Sequence, residues 1–286
     1  MVDSRAQPES GRKLFYGLFI FPLIIAVGMA VLLCSVVLLT SENETPESLI
    51  AAIRTGSPSK RWQKAYELSN ELNQGRGMIR SGGVMNEVIF ILTNRKDYDA
   101  RTRAYMALAL SRFDDPQART ALRETLKTET DLDVQIHLLW ALGTVKDDAA
   151  VDDILVYLGN ESPELRKTAA YVLGVLGQPH KSIPALSALL HDQVKDVRWN
   201  AAVSLARLGS DAGYSELLKM TDRSSLTAMG TLDEARTEEI MITAVKGLML
   251  LHKPESRGIL QSLSKEDSSL KVRQAAIEAL KSVNAS

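Results

Sequence analysis

Asp196-Val197-Arg198-Trp199-Asn200-Ala201-Ala202-Val203-Ser204-Leu205 is the stretch on which the fold turns. Val197, Ala201 and Leu205 are four residues apart, so they share one face of a helix. A small residue in the middle lets a neighbouring helix approach closely. The pattern recurs seven times. It begins at Lys60, Ala100, Val134, Leu165, Val197, Ile240 and Val272, spaced by 40, 34, 31, 32, 43 and 32 residues. Four residues on come Lys64, Ala104, Leu138, Ala169, Ala201, Ala244 and Ala276, and eight on come Leu68, Leu108, Leu142, Leu173, Leu205, Leu248 and Leu280.

An apolar helical segment precedes each of these, from Leu49, Ile50 and Ile53 in the first repeat to Ile259, Leu260 and Leu263 in the last. Repeats of this length, each a pair of helices, read as stacked units that bury a continuous core. Ser57-Pro58 and Ser162-Pro163 supply an N-cap serine and a first-turn proline. Gly177 and Gly209 follow helix ends, where a left-handed cap favours glycine. The expected class is all-α, with residues 46–286 forming a solenoid of about seven helix pairs. Lys60 and Lys64 make the first repeat polar at core positions, as a solubilising cap would be.

The pattern resembles HEAT repeats, in the short form also found in phycobilin lyases and many bacterial proteins. Asp196 to Ala202 with Leu205 carries the likeness best; Leu165-Arg166 with Ala169, Ala170 and Leu173, and Val272-Arg273 with Ala275, Ala276 and Leu280, follow it closely. The resemblance covers about residues 46–284 and implies architecture rather than activity. It also implies a ladder between repeats. An acid precedes the first core position at Asp99, Asp133, Glu164, Asp196 and Glu239, and an arginine follows it at Arg61, Arg101, Arg166, Arg198 and Arg273. Two junctions are longer than the rest, at residues 73–83 and 220–236. Long insertions in compact domains are often functional or mobile.

Ahead of the repeats, residues 14–40 form an uncharged run of 27. About 20 apolar residues span a bilayer core, so this run suits one transmembrane helix, with Pro22 as a tolerated kink. It exceeds the usual apolar core of a signal peptide and lacks a small-residue cleavage site, which favours an uncleaved signal anchor. Arg12 and Lys13 lie directly before it, whereas Glu42 and Glu44 follow. This bias places residues 1–13 in the cytoplasm and the solenoid outside, on the periplasmic side of a cell (inner) membrane in a single-pass arrangement. The linker, residues 41–45, is short, so the solenoid would lie near the lipid surface. The sole cysteine, Cys34, falls within the run and leaves no intrachain disulfide.

The formal net charge is −1. No basic stripe stands out, which argues against nucleic-acid binding. The four histidines, His137, His180, His191 and His252, have no metal-ligand spacing, and no phosphate-binding glycine loop or nucleophile elbow occurs. No catalytic residue, metal site or cofactor is expected.

One constellation remains. Positions 2 and 6 after the first core residue lie opposite the core face of the second helix. Beside the polar Thr102, Lys167, Lys246, Gln274 and Glu278 they hold Trp62, Tyr66, Met106, Ile136, Trp140, Tyr171, Trp199, Val203 and Ile242, including all three tryptophans. Gln63, Arg103, Thr168, Asn200 and Thr243 lie beside them. The second helices of HEAT-like solenoids line the concave surface, so such a stripe suits a groove for a partner peptide or helix. The competing reading is packing between repeats. The expected function is a non-enzymatic membrane-anchored scaffold for protein–protein interaction, binding a membrane or membrane-proximal envelope protein. The alternatives are a bilin lyase or chaperone, by similarity to phycobilin lyases, and an accessory subunit acting through its transmembrane helix, where Ala26 and Ala30 form a small-residue pair.

Overall fold

The computed structural model describes residues 16–40, 45–74 and 82–285. Residues 1–15 and 41–44 lie outside that range, and so does most of the insertion at 73–83. Two compact units are present, Met1–Thr45 and Pro46–Ser286.

The described residues of the first unit form α1 (Phe21–Thr40), entered through a π-helical turn at Tyr16–Ile20. Pro22 lies where the π turn becomes α-helix, and its missing N–H accounts for a change of hydrogen-bond pattern there. Tyr16–Val36 is long and apolar enough to cross a membrane, and none of its side chains is buried within the unit.

Among its described residues the second unit is built of helices, α-helical apart from short 3-10 turns, and has no strand. Seven antiparallel pairs follow one another. They are α2 (Pro46–Thr55) with α3 (Pro58–Gln74), α4 (Gly82–Thr93) with α5 (Ala100–Leu110), and α6 (Pro116–Thr128) with α7 (Leu132–Thr144). Then come α8 (Val151–Leu155) with α9 (Pro163–Leu176), α10 (Pro179–Ala188) with α11 (Lys195–Arg207), and α12 (Tyr214–Met220) with α14 (Glu234–Leu251). The last pair is α15 (Arg257–Glu266) with α16 (Leu270–Ala285). Each second helix packs on the second helix of the next repeat, from α3 through to α16.

The small residues explain how close these layers come. A Cβ at Gly174 of α9 would lie 2.5 Å from the Ser204 side chain of α11, and one at Gly247 would lie 2.8 Å from Leu217. Gly177 and Gly209 end their helices at φ of +87° and +76°, as the sequence suggests. Ser162 does not use its side chain as a cap. Aspartates do that elsewhere, among them Asp99, Asp115, Asp131 and Asp233.

Val134, Leu165, Val197, Ile240 and Val272 are buried, with the small or apolar residue four positions on. The first repeat departs from the expected register. Lys60 is exposed and Lys64 pairs with Glu67, while Ala65, Leu68, Ser69 and Leu72 form the buried face. The helix is turned by one residue so that its lysines reach water. The second repeat is turned as well: Leu108 is half-buried and Ala107 and Leu110 lie inside.

The insertion at 220–236 is stitched into the solenoid. It contains α13 (Arg223–Thr227), capped by Asp222, with Leu226 buried. Arg223 grips Asp267 of the last repeat with two hydrogen bonds, 2.7 and 3.1 Å long.

Candidate functional site

The arginine after the first core residue has one recurring use. It folds back on the loop that leads into its own helix. Arg166 donates to the carbonyls of Asn160 and Glu161, Arg198 to those of Asp192 and Gln193, and Arg273 to that of Asp267. Three of the acids that pair between repeats stand further back than the ones just before the helix. They lie five residues before its first core position, at Glu129, Asp192 and Asp267. Each also accepts the backbone N–H two residues on and so shapes the turn. Arg166 pairs bidentately with Asp192 at 2.7 and 3.0 Å and holds its carboxyl below the usual aspartate range. Arg103 reaches inward to Glu129. Burial pushes the Glu129 carboxyl up, but the Arg103 bond and the amides of Asp131 and Thr130 hold it below its ordinary value. Among the acids expected in the ladder, Asp196 meets Arg236 of the next repeat at 3.6 Å, whereas Asp99 caps its own helix.

These contacts fix the second helices in register and so set what their outer faces present. The nine residues of the expected stripe divide into two surface patches and a buried remainder. In the first patch the Arg101 guanidinium lies 3.6 Å above the half-buried Trp62 ring. Tyr66, 47% exposed, meets Tyr105 edge-on at 5.4 Å, and Tyr105 meets His137 at 6.0 Å. In the second, Trp140 is 40% exposed and leans on Tyr171 with ring centres 4.8 Å apart. Arg207, the last residue of α11, also lies over the Tyr171 ring, at 4.6 Å from its centre.

Met106 is fully buried, and Trp199 and Val203 are 7% and 8% exposed. They are largely core, because a second helix packs on two neighbours at once. Ile136 and Ile242 are half-buried against the core. Of the flanking polar residues, Arg103 and Thr168 are buried rather than on a rim.

Trp140, Tyr171, the remaining edge of Trp199, and Val203 nonetheless line one cavity of about 310 Å³ on the second-helix side. Its polar lining comes from Asp196, Asn200, Arg207, Arg236, Glu239 and Thr243. Arg236 bridges Asp196 and Glu239, the latter at 2.8 Å. This arrangement offers a partly exposed aromatic wall, hydrogen-bonding groups and charges of both signs. Sequence reasoning named Asn200 and Thr243 but missed Tyr105, His137, Arg207 and Arg236. Arg207 follows Val197 by ten residues, nearly three turns on, so the two-column pattern does not reach it. Among the described residues no group of three or more His, Cys, Asp and Glu comes together as metal ligands would.

Solved structures share this architecture. One chain of the CpcE–CpcF complex of phycocyanin lyase from Nostoc sp. PCC7120 aligns over 85% of this chain and 97% of its own, with a TM-score of 0.56 and 17% identity. The E. coli protein YibA aligns over 83% of this chain and 92% of its own, with a TM-score of 0.51 and 14% identity. At these identities the likeness is one of fold. No curated protein sequence matches the chain. The family profile described as HEAT repeats matches residues 86–161, 126–206 and 153–232, which together cover about half of the chain. The chain belongs to the HEAT-repeat family.

Proposed function

We propose that this protein is a membrane-anchored adaptor whose HEAT-repeat domain holds a segment of another membrane or envelope protein on its second-helix face. One observation carries the reading: Trp140 and Tyr171 stand together, with Trp140 substantially open to solvent, over a cavity that also has polar walls. A tryptophan left partly exposed beside a cavity is the kind of residue that dominates binding energy at protein interfaces. The apolar helix before the repeats supports the membrane part of the proposal. The likeness to a phycocyanin lyase subunit complex is one of fold and does not favour a lyase reading over an adaptor.

Capture of binding proteins by the detergent-solubilised full-length chain, identified by mass spectrometry, tests the proposal. A specific membrane or envelope protein should be captured by the wild type. Trp140→Ala should weaken that capture by roughly thirtyfold, the equivalent of about 2 kcal/mol. If Trp140→Ala captures it equally well, the groove is wrong. If exchange of residues 14–40 for an unrelated span abolishes capture instead, the membrane helix is the contact.

Orientation is tested separately. With Arg12 and Lys13 on one flank and Glu42 and Glu44 on the other, a C-terminal reporter that works only outside the cytoplasm should be active. Activity of a cytoplasm-only reporter in its place would reverse the topology.

A further inference from the structure

We infer that the cavity beside Trp140 and Tyr171 reads an acidic side chain next to an apolar one in the bound segment, with Arg207 as the residue that receives the carboxylate. The inference rests on the adaptor reading and adds the chemistry of the partner.

Arg207 stands apart from the other arginines. Among those the structure describes, all but two hold a carboxylate, a hydroxyl or a backbone carbonyl of the chain. The two exceptions, Arg101 and Arg207, have only the face of an aromatic ring. Of these, Arg207 lines the cavity. A guanidinium held only over an aromatic ring keeps its N–H groups free for a ligand, and its planar fork matches a carboxylate bidentately. The contact with Tyr171 holds the Arg207 side chain over the cavity in advance, so less side-chain freedom is lost when an acid arrives. Trp140, Trp199 and Val203 give the neighbouring apolar side chain a surface to cover.

The remaining charges orient the occupant. Asp196 and Glu239 share the single Arg236, which leaves that wall with one negative charge in excess. An incoming acid is therefore repelled from that wall and drawn to Arg207. A neutral or basic segment would leave Arg207 unanswered as the site loses water, and an unpaired desolvated charge costs affinity. The position of Arg207 at the C-terminal end of α11 also favours a cation there. That dipole contact would stabilise the helix but would not by itself select a ligand, so the test must read binding.

The probe is a displayed library of random linear peptides, selected on the full-length chain in detergent micelles. The wild type should enrich peptides carrying Asp or Glu beside Trp, Phe or Leu. By fluorescence anisotropy, the leading peptide should bind Arg207→Met at least about tenfold more weakly than wild type. Changing its acid to the amide should cause a similar loss on the wild type and little further loss on Arg207→Met. Because the amide peptide is measured on the unaltered protein, the charge is tested even if a variant misfolds. Trp140→Ala should weaken both peptides.

Enrichment that depends on Trp140 but shows no acid preference and no effect of Arg207→Met would overturn this inference and leave the adaptor proposal standing. Binding that requires a free peptide C-terminus rather than an internal acid would also overturn it. If no peptide depends on Trp140, both readings fall together.

Discussion

Trp199→Ala is expected to destabilise the repeat domain by roughly 3–5 kcal/mol, the usual cost of truncating a buried tryptophan. Trp199 is 7% exposed and belongs to the same buried cluster as Ile240, Met241 and Ala244 of the following repeat. Removing its ring opens a void in the seam between repeats five and six. Trp140 has the same residue type but the opposite environment, at 40% exposed. Trp140→Ala should cost no more than about 1.5 kcal/mol, chiefly its contact with Tyr171. Urea unfolding of the full-length chain in micelles, followed by far-UV circular dichroism, separates the two. Leu173→Ala, at a fully buried leucine, gives the reference for a core truncation at roughly 2–5 kcal/mol. A Trp199→Ala midpoint equal to that of wild type would return Trp199 to the surface and restore the continuous stripe.

That pair shows where sequence reasoning reaches and where it stops. Val197, Ala201 and Leu205 are legible as a core face because each second helix always packs on its own first helix, with a period of 3.6. The opposite face is not legible, since its burial depends on how far the next repeat turns in. In α11 the two faces serve different clusters: Val197, Ala201 and Leu205 join the core of the earlier repeats, and Trp199, Ala202 and Val203 join that of the later ones. No single-helix pattern distinguishes Trp199 from Trp140, because the difference lies in their neighbours.

The same holds for charge. The arginine column was visible, yet its true partners lie in the preceding loops, at Glu129, Asp192 and Asp267, where the acids also build turns. The insertion at 220–236 shows why spacing alone misleads. Arg223 there takes a place in the ladder by pairing with Asp267, and Arg236 supplies part of the cavity wall. Both are unreadable from a repeat alignment, which skips them. Repeat one shows the reverse error, because aligning on Leu68 put Lys60 and Lys64 inside, whereas a one-residue turn of α3 buries Ala65 and Leu72.

Arg103→Met should cost roughly 3–5 kcal/mol, because it strands a buried carboxylate. The Glu129 side chain is 1% exposed and that of Arg103 is 6%. Arg95 is the nearest other cation, at 3.6 Å, but it is 39% exposed and well screened. The cost should depend on pH in a defined direction. In the wild type the Glu129 carboxyl lies below its ordinary value. Its contribution is therefore complete above the unfolded glutamate pKa, about 4.3, and is lost as pH falls through the lower folded value. Without Arg103, burial is opposed only by two amides and the solvent-screened Arg95, so the carboxyl moves up and folding tolerates its protonation. The gap between Arg103→Met and wild type should then be widest near neutrality and narrow below about pH 4. Adding Glu129→Gln to Arg103→Met removes the stranded charge and keeps an oxygen for the amides of Thr130 and Asp131. The double variant should recover most of the loss, as replacement of a whole buried pair often does. Unfolding midpoints at several pH values check this. A gap that stays constant with pH, or a double variant no better than Arg103→Met, would mean that Arg103 contributes through packing of its stem and that the charge of Glu129 is not what its loss exposes.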